Sequence, residues 1–167
     1  MKPPPFLPEE TLNRVLRVAR LDGLSVAFIA GFFALISALA GDGLGAVIGV
    51  IVSGAGGIEL HGAKLLVHGE ARGMKWLVNS QLLILGAVIA YCGLRLLQPG
   101  LASLNAAVTD EMKLSLESAG WSPDRFVHFV YNTTYYAVAI VTVVYQGGMA
   151  LYYHRRRDSV ARALGNA

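Results

Sequence analysis

Near the end of the stretch GDGLGAVIGVIVSGAGGIELHGAKLLVHG, an apolar run carries Glu59, His61, Lys64 and His68. A carboxylate beside imidazoles is chemistry for holding a proton or a cation. On a helix, His61, Lys64 and His68 fall on one face, at spacings of three and four residues. Glu59 lies more than a quarter-turn away. Lys64 and His68 can reach a membrane interface and snorkel there. Glu59 is the expensive residue. A carboxylate in hydrocarbon costs several kcal/mol unless it is paired, hydrated or protonated. It is therefore expected to face a bundle interior or water, and it is the first candidate for function, with His61 second.

Counting from the middle of each apolar block places possible partners at the depth of Glu59. These are Ser25, Gln81 and Gln146, with Asn79 and Ser80 nearer the surface. The last block adds a polar stripe of His128, Asn132, Tyr135, Thr142 and Gln146. The functional reading is a hydrated pathway or small-solute site built from Glu59, His61, Gln81, Gln146 and Asn132. The bland reading is interhelical hydrogen bonding, which secures bundles that transport nothing.

Other chemistries fit less well. Haem needs two axial histidines at matching depth on different helices. His61, His68, His128 and His154 do not pair in that way, so a haem-binding redox protein is a minor alternative. Glu59 with His61 gives two ligands, and two do not make a zinc site. No zinc-protease, nucleophile-elbow or phosphate-loop motif occurs. The triplet at Asn132 matches a glycosylation acceptor but lies in or at an apolar block. The single cysteine, Cys92, allows no intrachain disulfide and reads as a small buried side chain. No enzymatic activity, cofactor or metal is expected.

These residues must be positioned by membrane helices. Of 167 residues, 54% are hydrophobic and 15% charged, and mean hydropathy is +0.52. A soluble domain of this length would hold more charge. About 20 apolar residues cross ~30 Å of hydrocarbon as a helix. The blocks at 24–40, 44–67, 77–97 and 130–153 qualify once the first is extended by its flanking turns. Strand alternation is absent, so a β-barrel is not expected. The fold class is all-α: one domain, four transmembrane helices in an antiparallel bundle. Spans are placed at 22–40, 44–67 and 77–97, with a long last helix at 123–157.

Basic residues set the topology. Lys2, Arg14, Arg17 and Arg20 precede the first span, Lys64, Arg72 and Lys75 follow the second, and Arg155, Arg156, Arg157 and Arg162 follow the fourth. The other side has Arg95, Lys113 and Arg125 against Asp110, Glu111, Glu117 and Asp124. The positive-inside rule puts both termini and the second loop in the cytoplasm, and the expected location is the cell (inner) membrane. A pI near 9.2 then reports orientation rather than nucleic-acid binding. Ala38-Leu39-Ala40 resembles a signal-peptidase site. The basic segment before it is long and holds Glu9, Glu10 and Asp22, so a retained span is expected.

Outside the spans, three consecutive prolines favour an extended start. Residues 8–21 read as a cytoplasmic amphipathic helix lying on the leaflet, or else docked under the bundle. The outer loop, 98–127, carries Leu101, Leu104, Val108, Met112, Leu114 and Leu116, which suggests short helices capped by Thr109 and stopped at Gly120. Ser122 and Pro123 restart a helix. Tyr152, Tyr153 and Arg155–Arg157 read as an interfacial belt meeting anionic headgroups.

Gly45, Gly49, Ser53 and Gly57 form a stripe that lets another backbone approach closely. Three glycines at 54–57 could also kink the helix. Two functions follow. One is a homo-oligomeric channel or transporter for an ion, proton or small solute. The other is a non-transporting structural or accessory subunit whose glycine face binds partner helices.

Overall fold

The computed structural model describes residues 7–98, 100–101, 105 and 108–165. Lys2, the run of prolines and Leu104 lie outside them. The described residues hold five helices and no strand: α1 (Pro8–Leu39), α2 (Gly43–Val67), α3 (Gly73–Leu97), α4 (Asp110–Ser118) and α5 (Pro123–Ala163). All but α4 are long and apolar enough to cross a membrane.

The expected division between an amphipathic helix at 8–21 and a span at 22–40 is absent. One 32-residue helix runs through both, with Pro8 opening it and Glu9 and Glu10 in its first turn. The reason is local and tertiary together. The single Gly23 costs only about 1 kcal/mol in a helix, too little to break one that is packed. Val15 and Ala19 are fully buried against Ala63, Leu66, Tyr153 and Val160. The first turns of α1 therefore belong to the bundle core.

Gly41, at φ 74°, turns the chain after α1. The Asp42 side chain then caps α2 by accepting a hydrogen bond from the Gly45 N–H at 3.0 Å. Helix α2 is unbroken from Gly43 to Val67, so Gly54, Gly56 and Gly57 do not interrupt it. Its small-residue stripe packs on α1 of the same chain. A Cβ on Gly49 would sit 2.7 Å from the Ala34 Cβ, and one on Gly56 would sit 2.7 Å from the Gly23 carbonyl oxygen. Between them, the Ser53 hydroxyl donates to the Ala27 carbonyl at 2.8 Å.

Gly57 does not join this contact: a Cβ there would meet nothing within 4 Å. Helical geometry explains the change. At about 100° per residue, a strict four-residue repeat has drifted about 120° by Gly57, whereas Gly56 returns to within about 20° of Gly45.

The chain divides into two compact units, Met1–Val88 with Thr142–Ala167, and Ile89–Val141. In the second, the Tyr131 hydroxyl donates to the Arg95 carbonyl at 3.0 Å. Its ring lies 4.7 Å from that of Tyr135. Cys92 is buried there, as its apolar setting requires. Thr109 caps α4 by accepting from the Met112 N–H at 3.3 Å, and Gly120, at φ 78°, follows that helix. Lys113 donates to Asp110 at 2.8 Å. This pairing holds the Asp110 carboxyl below its ordinary value and the Lys113 ammonium above its own. Ser122 accepts from the Arg125 N–H at 3.4 Å. From Pro123 the last helix continues for 41 residues, about 60 Å, and ends beyond the expected boundary at 157.

Candidate functional site

The glycine contacts that join α1 to α2 also set the position of two carboxylates. Asp22 immediately precedes Gly23, and Glu59 follows Gly56 by one helical turn. At Gly23 an added Cβ would stand 3.3 Å from the Glu59 Cβ and 3.1 Å from the Gly56 carbonyl oxygen. With no bulk between the two backbones, Asp22 and Glu59 share one level of the bundle. Helix α3 is brought in by a second close approach, in which a Cβ on Gly62 would lie 3.0 Å from the Gly73 carbonyl oxygen. Two turns further along α3 stands Gln81.

The Gln81 amide nitrogen donates to Asp22 Oδ2 at 3.0 Å and to Glu59 Oε2 at 2.9 Å. The two remaining carboxylate oxygens accept from tyrosines of α5. Tyr145 donates to Asp22 Oδ1 at 2.8 Å, and Tyr153 donates to Glu59 Oε1 at 2.6 Å. The result is a linear chain, Tyr145–Asp22–Gln81–Glu59–Tyr153, drawn from four helices of one compact unit. Glu59, Gln81 and Tyr153 are fully buried and Asp22 is 7% exposed, while the Tyr145 side of the chain is open, that residue being 51% exposed.

The donors in this chain are all neutral. Among the described residues no lysine, arginine or histidine forms an ion pair with Asp22 or Glu59. Buried charges are ordinarily paired with an opposite charge. Here two carboxyl groups meet instead, with neutral donors on every oxygen. The Gln81 Oε1 is buried and has no hydrogen-bond partner, and the same is true of the Gln146 Oε1. A half-turn of the Gln81 amide would present that oxygen to the O–H of a protonated carboxyl.

Of the residues expected at this depth, Glu59 and Gln81 meet. Gln146 is buried next to Tyr145, but its amide oxygen reaches none of them. His61 does not share a site with Glu59. It is exposed on the opposite side of α2, with its ring edge-on to Trp76 at 5.4 Å. Two residues are about 200° of helix rotation, which turns one outward when the other points in. Asn132 is exposed and belongs to the other compact unit. Ser25 and Ser80 bond to carbonyls of their own helices.

Sequence reasoning missed Asp22, Tyr145 and Tyr153. Asp22 stands among arginines at the edge of the first apolar block, which resembles a solvated boundary. The missed signal was symmetry. Asp22 is nineteen residues before the hairpin glycine Gly41 and Glu59 eighteen after it. An antiparallel pair puts such residues at one depth. Tyr153 gave no comparable signal, because aromatic residues near span ends ordinarily form an interfacial belt, and Tyr145 stands inside the last apolar block as one aromatic residue among several.

Four helices long and apolar enough to cross a membrane, with a buried carboxylate pair among them, define the class: an all-α chain of the kind that suggests a multi-pass membrane protein, with a polar network in its interior. No protein family, curated protein or solved structure matches the chain.

Proposed function

We propose that this chain is a small membrane transporter or channel that carries protons, and that Asp22 and Glu59 are its proton-binding pair. The observation that supports this reading is the meeting of two buried carboxylates with neutral donors alone. Ionisable groups kept inside a membrane segment mark ion pathways and proton relays. A proton is favoured over a metal cation for a geometric reason. The Gln81 amide nitrogen occupies the space between the carboxylates, and a metal ion would have to displace it. A proton binds to a carboxylate oxygen without moving a backbone.

In this reading the chain spans the cell (inner) membrane several times with both termini in the cytoplasm, following the Lys and Arg bias. All five network residues come from one chain, so a single copy supplies the site. A homo-oligomer remains compatible with it. The accessory-subunit alternative rested on a glycine face free to bind another protein. At Gly45, Gly49 and Gly56 that space is taken by residues of the same α1–α2 hairpin.

The test is proton flux into proteoliposomes, driven by a potassium diffusion potential and read with an enclosed pH dye. Wild-type protein should acidify the lumen. Glu59→Gln and Asp22→Asn should each lower the rate at least about tenfold, the scale set by losing a positioned proton carrier. Wild-type flux that persists unchanged in both variants would overturn the proposal. So would no flux at all from protein shown to be folded.

A further inference from the structure

A second site lies in the same compact unit, at the end of the bundle where α1 begins and α5 ends. Helices α3 and α5 line a cavity of about 500 Å³ there. Lys75 and Asn79 come from α3 and His154 and Arg157 from α5, over an apolar floor that includes Met74 and Val78. Each pair stands three or four residues apart, so each helix turns one continuous face to the cavity. Met74 is 3% exposed, which makes the floor part of the packed core.

The depth of this cavity can be read from the chain. Lys75 immediately precedes the apolar block at 77–97, and His154 immediately follows the one ending at 153. The polar rim therefore falls where hydrocarbon gives way to headgroups. An apolar floor under a cationic rim at that level matches one kind of molecule, an amphiphile with an anionic head. Arginine and lysine are the usual phosphate donors. Asp158 also lines the cavity, and it accepts from the Arg157 Nε at 3.3 Å. A guanidinium has five N–H donors, so that bond leaves others for a phosphate.

The three consecutive arginines are not equivalent. Arg156 lies over the Tyr152 ring at 5.5 Å; Arg155 and Arg157 are both exposed, and of these two Arg157 lines the cavity. A uniform interfacial belt would not separate them in this way.

We infer that the α3–α5 cavity is a binding site for the phosphate headgroup of an anionic phospholipid, held by Lys75, Arg157 and His154. Its chemistry is shared with free inorganic phosphate, and the apolar floor favours the lipid. The site stands independently of the proton-carrying network.

Native mass spectrometry of the full chain in detergent tests it, with phosphatidylglycerol and phosphatidylcholine as probes. The anionic lipid should be retained over the zwitterionic one. Lys75→Gln and Arg157→Gln should each weaken retention about fivefold, the effect of one basic residue at a membrane surface. Arg155→Gln and Arg162→Gln remove the same charge outside the cavity and should change it less than about twofold. Circular dichroism on each variant confirms its helix content, and these four side chains are exposed enough to be replaced without unfolding. Equal losses from both pairs of variants would overturn the site in favour of a diffuse belt. Inorganic phosphate that displaces the lipid, and binds as well alone, would overturn the lipid assignment. Retention of both lipids to the same extent would overturn the headgroup claim altogether.

Discussion

Replacing Glu59 by Gln and by Leu should have opposite effects on stability. The two bonds from the Gln81 nitrogen, at 3.0 and 2.9 Å, keep Asp22 Oδ2 and Glu59 Oε2 within about 6 Å of each other. Two full charges at that distance repel by about 3 kcal/mol at an effective dielectric of about 20. Glu59→Gln removes the repulsion and keeps the shape. Its amide oxygen can accept from the Gln81 nitrogen, which keeps its bond to Asp22, while its NH₂ can donate to the Tyr153 hydroxyl oxygen. The charge-assisted bonds it loses are worth roughly 1.5–3 kcal/mol each, of which neutral bonds recover about half. These terms nearly cancel. Glu59→Gln should thus melt within a few degrees of wild type, or above it. Glu59→Leu leaves the Tyr153 hydroxyl and one Gln81 N–H buried without acceptors, at about 1–3 kcal/mol each, and should melt well below wild type. The assay is thermal melting in detergent, followed by circular dichroism at one scan rate. If Glu59→Gln is as damaged as Glu59→Leu, the pair is held by its charge rather than despite it, and the account of two uncompensated carboxylates fails.

Packing and capping can be probed in the same way. Gly49→Leu forces side-chain atoms into the Ala34 backbone and should destabilise the chain by about 1–3 kcal/mol; Gly54→Ala and Gly57→Ala, where a Cβ meets nothing within 4 Å, should be neutral or stabilise α2 by up to about 1 kcal/mol. A melting curve distinguishes them, and equal effects at all three positions would refute the revised stripe. Thr109→Ala removes the cap on α4 and should cost that helix about 1 kcal/mol. Hydrogen exchange should then quicken at the Met112 amide while α5 amides keep their rates.

The four long helices were legible because each depends on a property summed over some twenty residues, which local errors do not disturb. The caps at Thr109 and Ser122 were legible because they depend on three or four neighbours. The site was legible only in part. Glu59 stood out as a charge in an apolar run, and Gln81 as an amide at its depth. Asp22 was hidden by neighbours that look solvated, and its burial is set by helices far along the chain. The direction of His61 could not be read from composition at all. It depends on which side of α2 meets α1 and α3, and the glycine register decides that. The same register explains why Gly56 replaces Gly57.

The α1–α2 contact has a consequence for the order of assembly. It is made by Gly23, Ala27, Ala34, Gly49, Ser53 and Gly56, whose small side chains surrender almost no rotamer freedom when they meet. These two helices leave the ribosome before α3 and α5. The hairpin can therefore close before α3 and α5 have been made, and closing it brings Asp22 and Glu59 face to face. At that stage Gln81, Tyr145 and Tyr153 are still unsynthesised. Until they arrive, water or a bound proton must do their work, so the nascent hairpin meets the problem of neutralising this pair before the finished bundle exists.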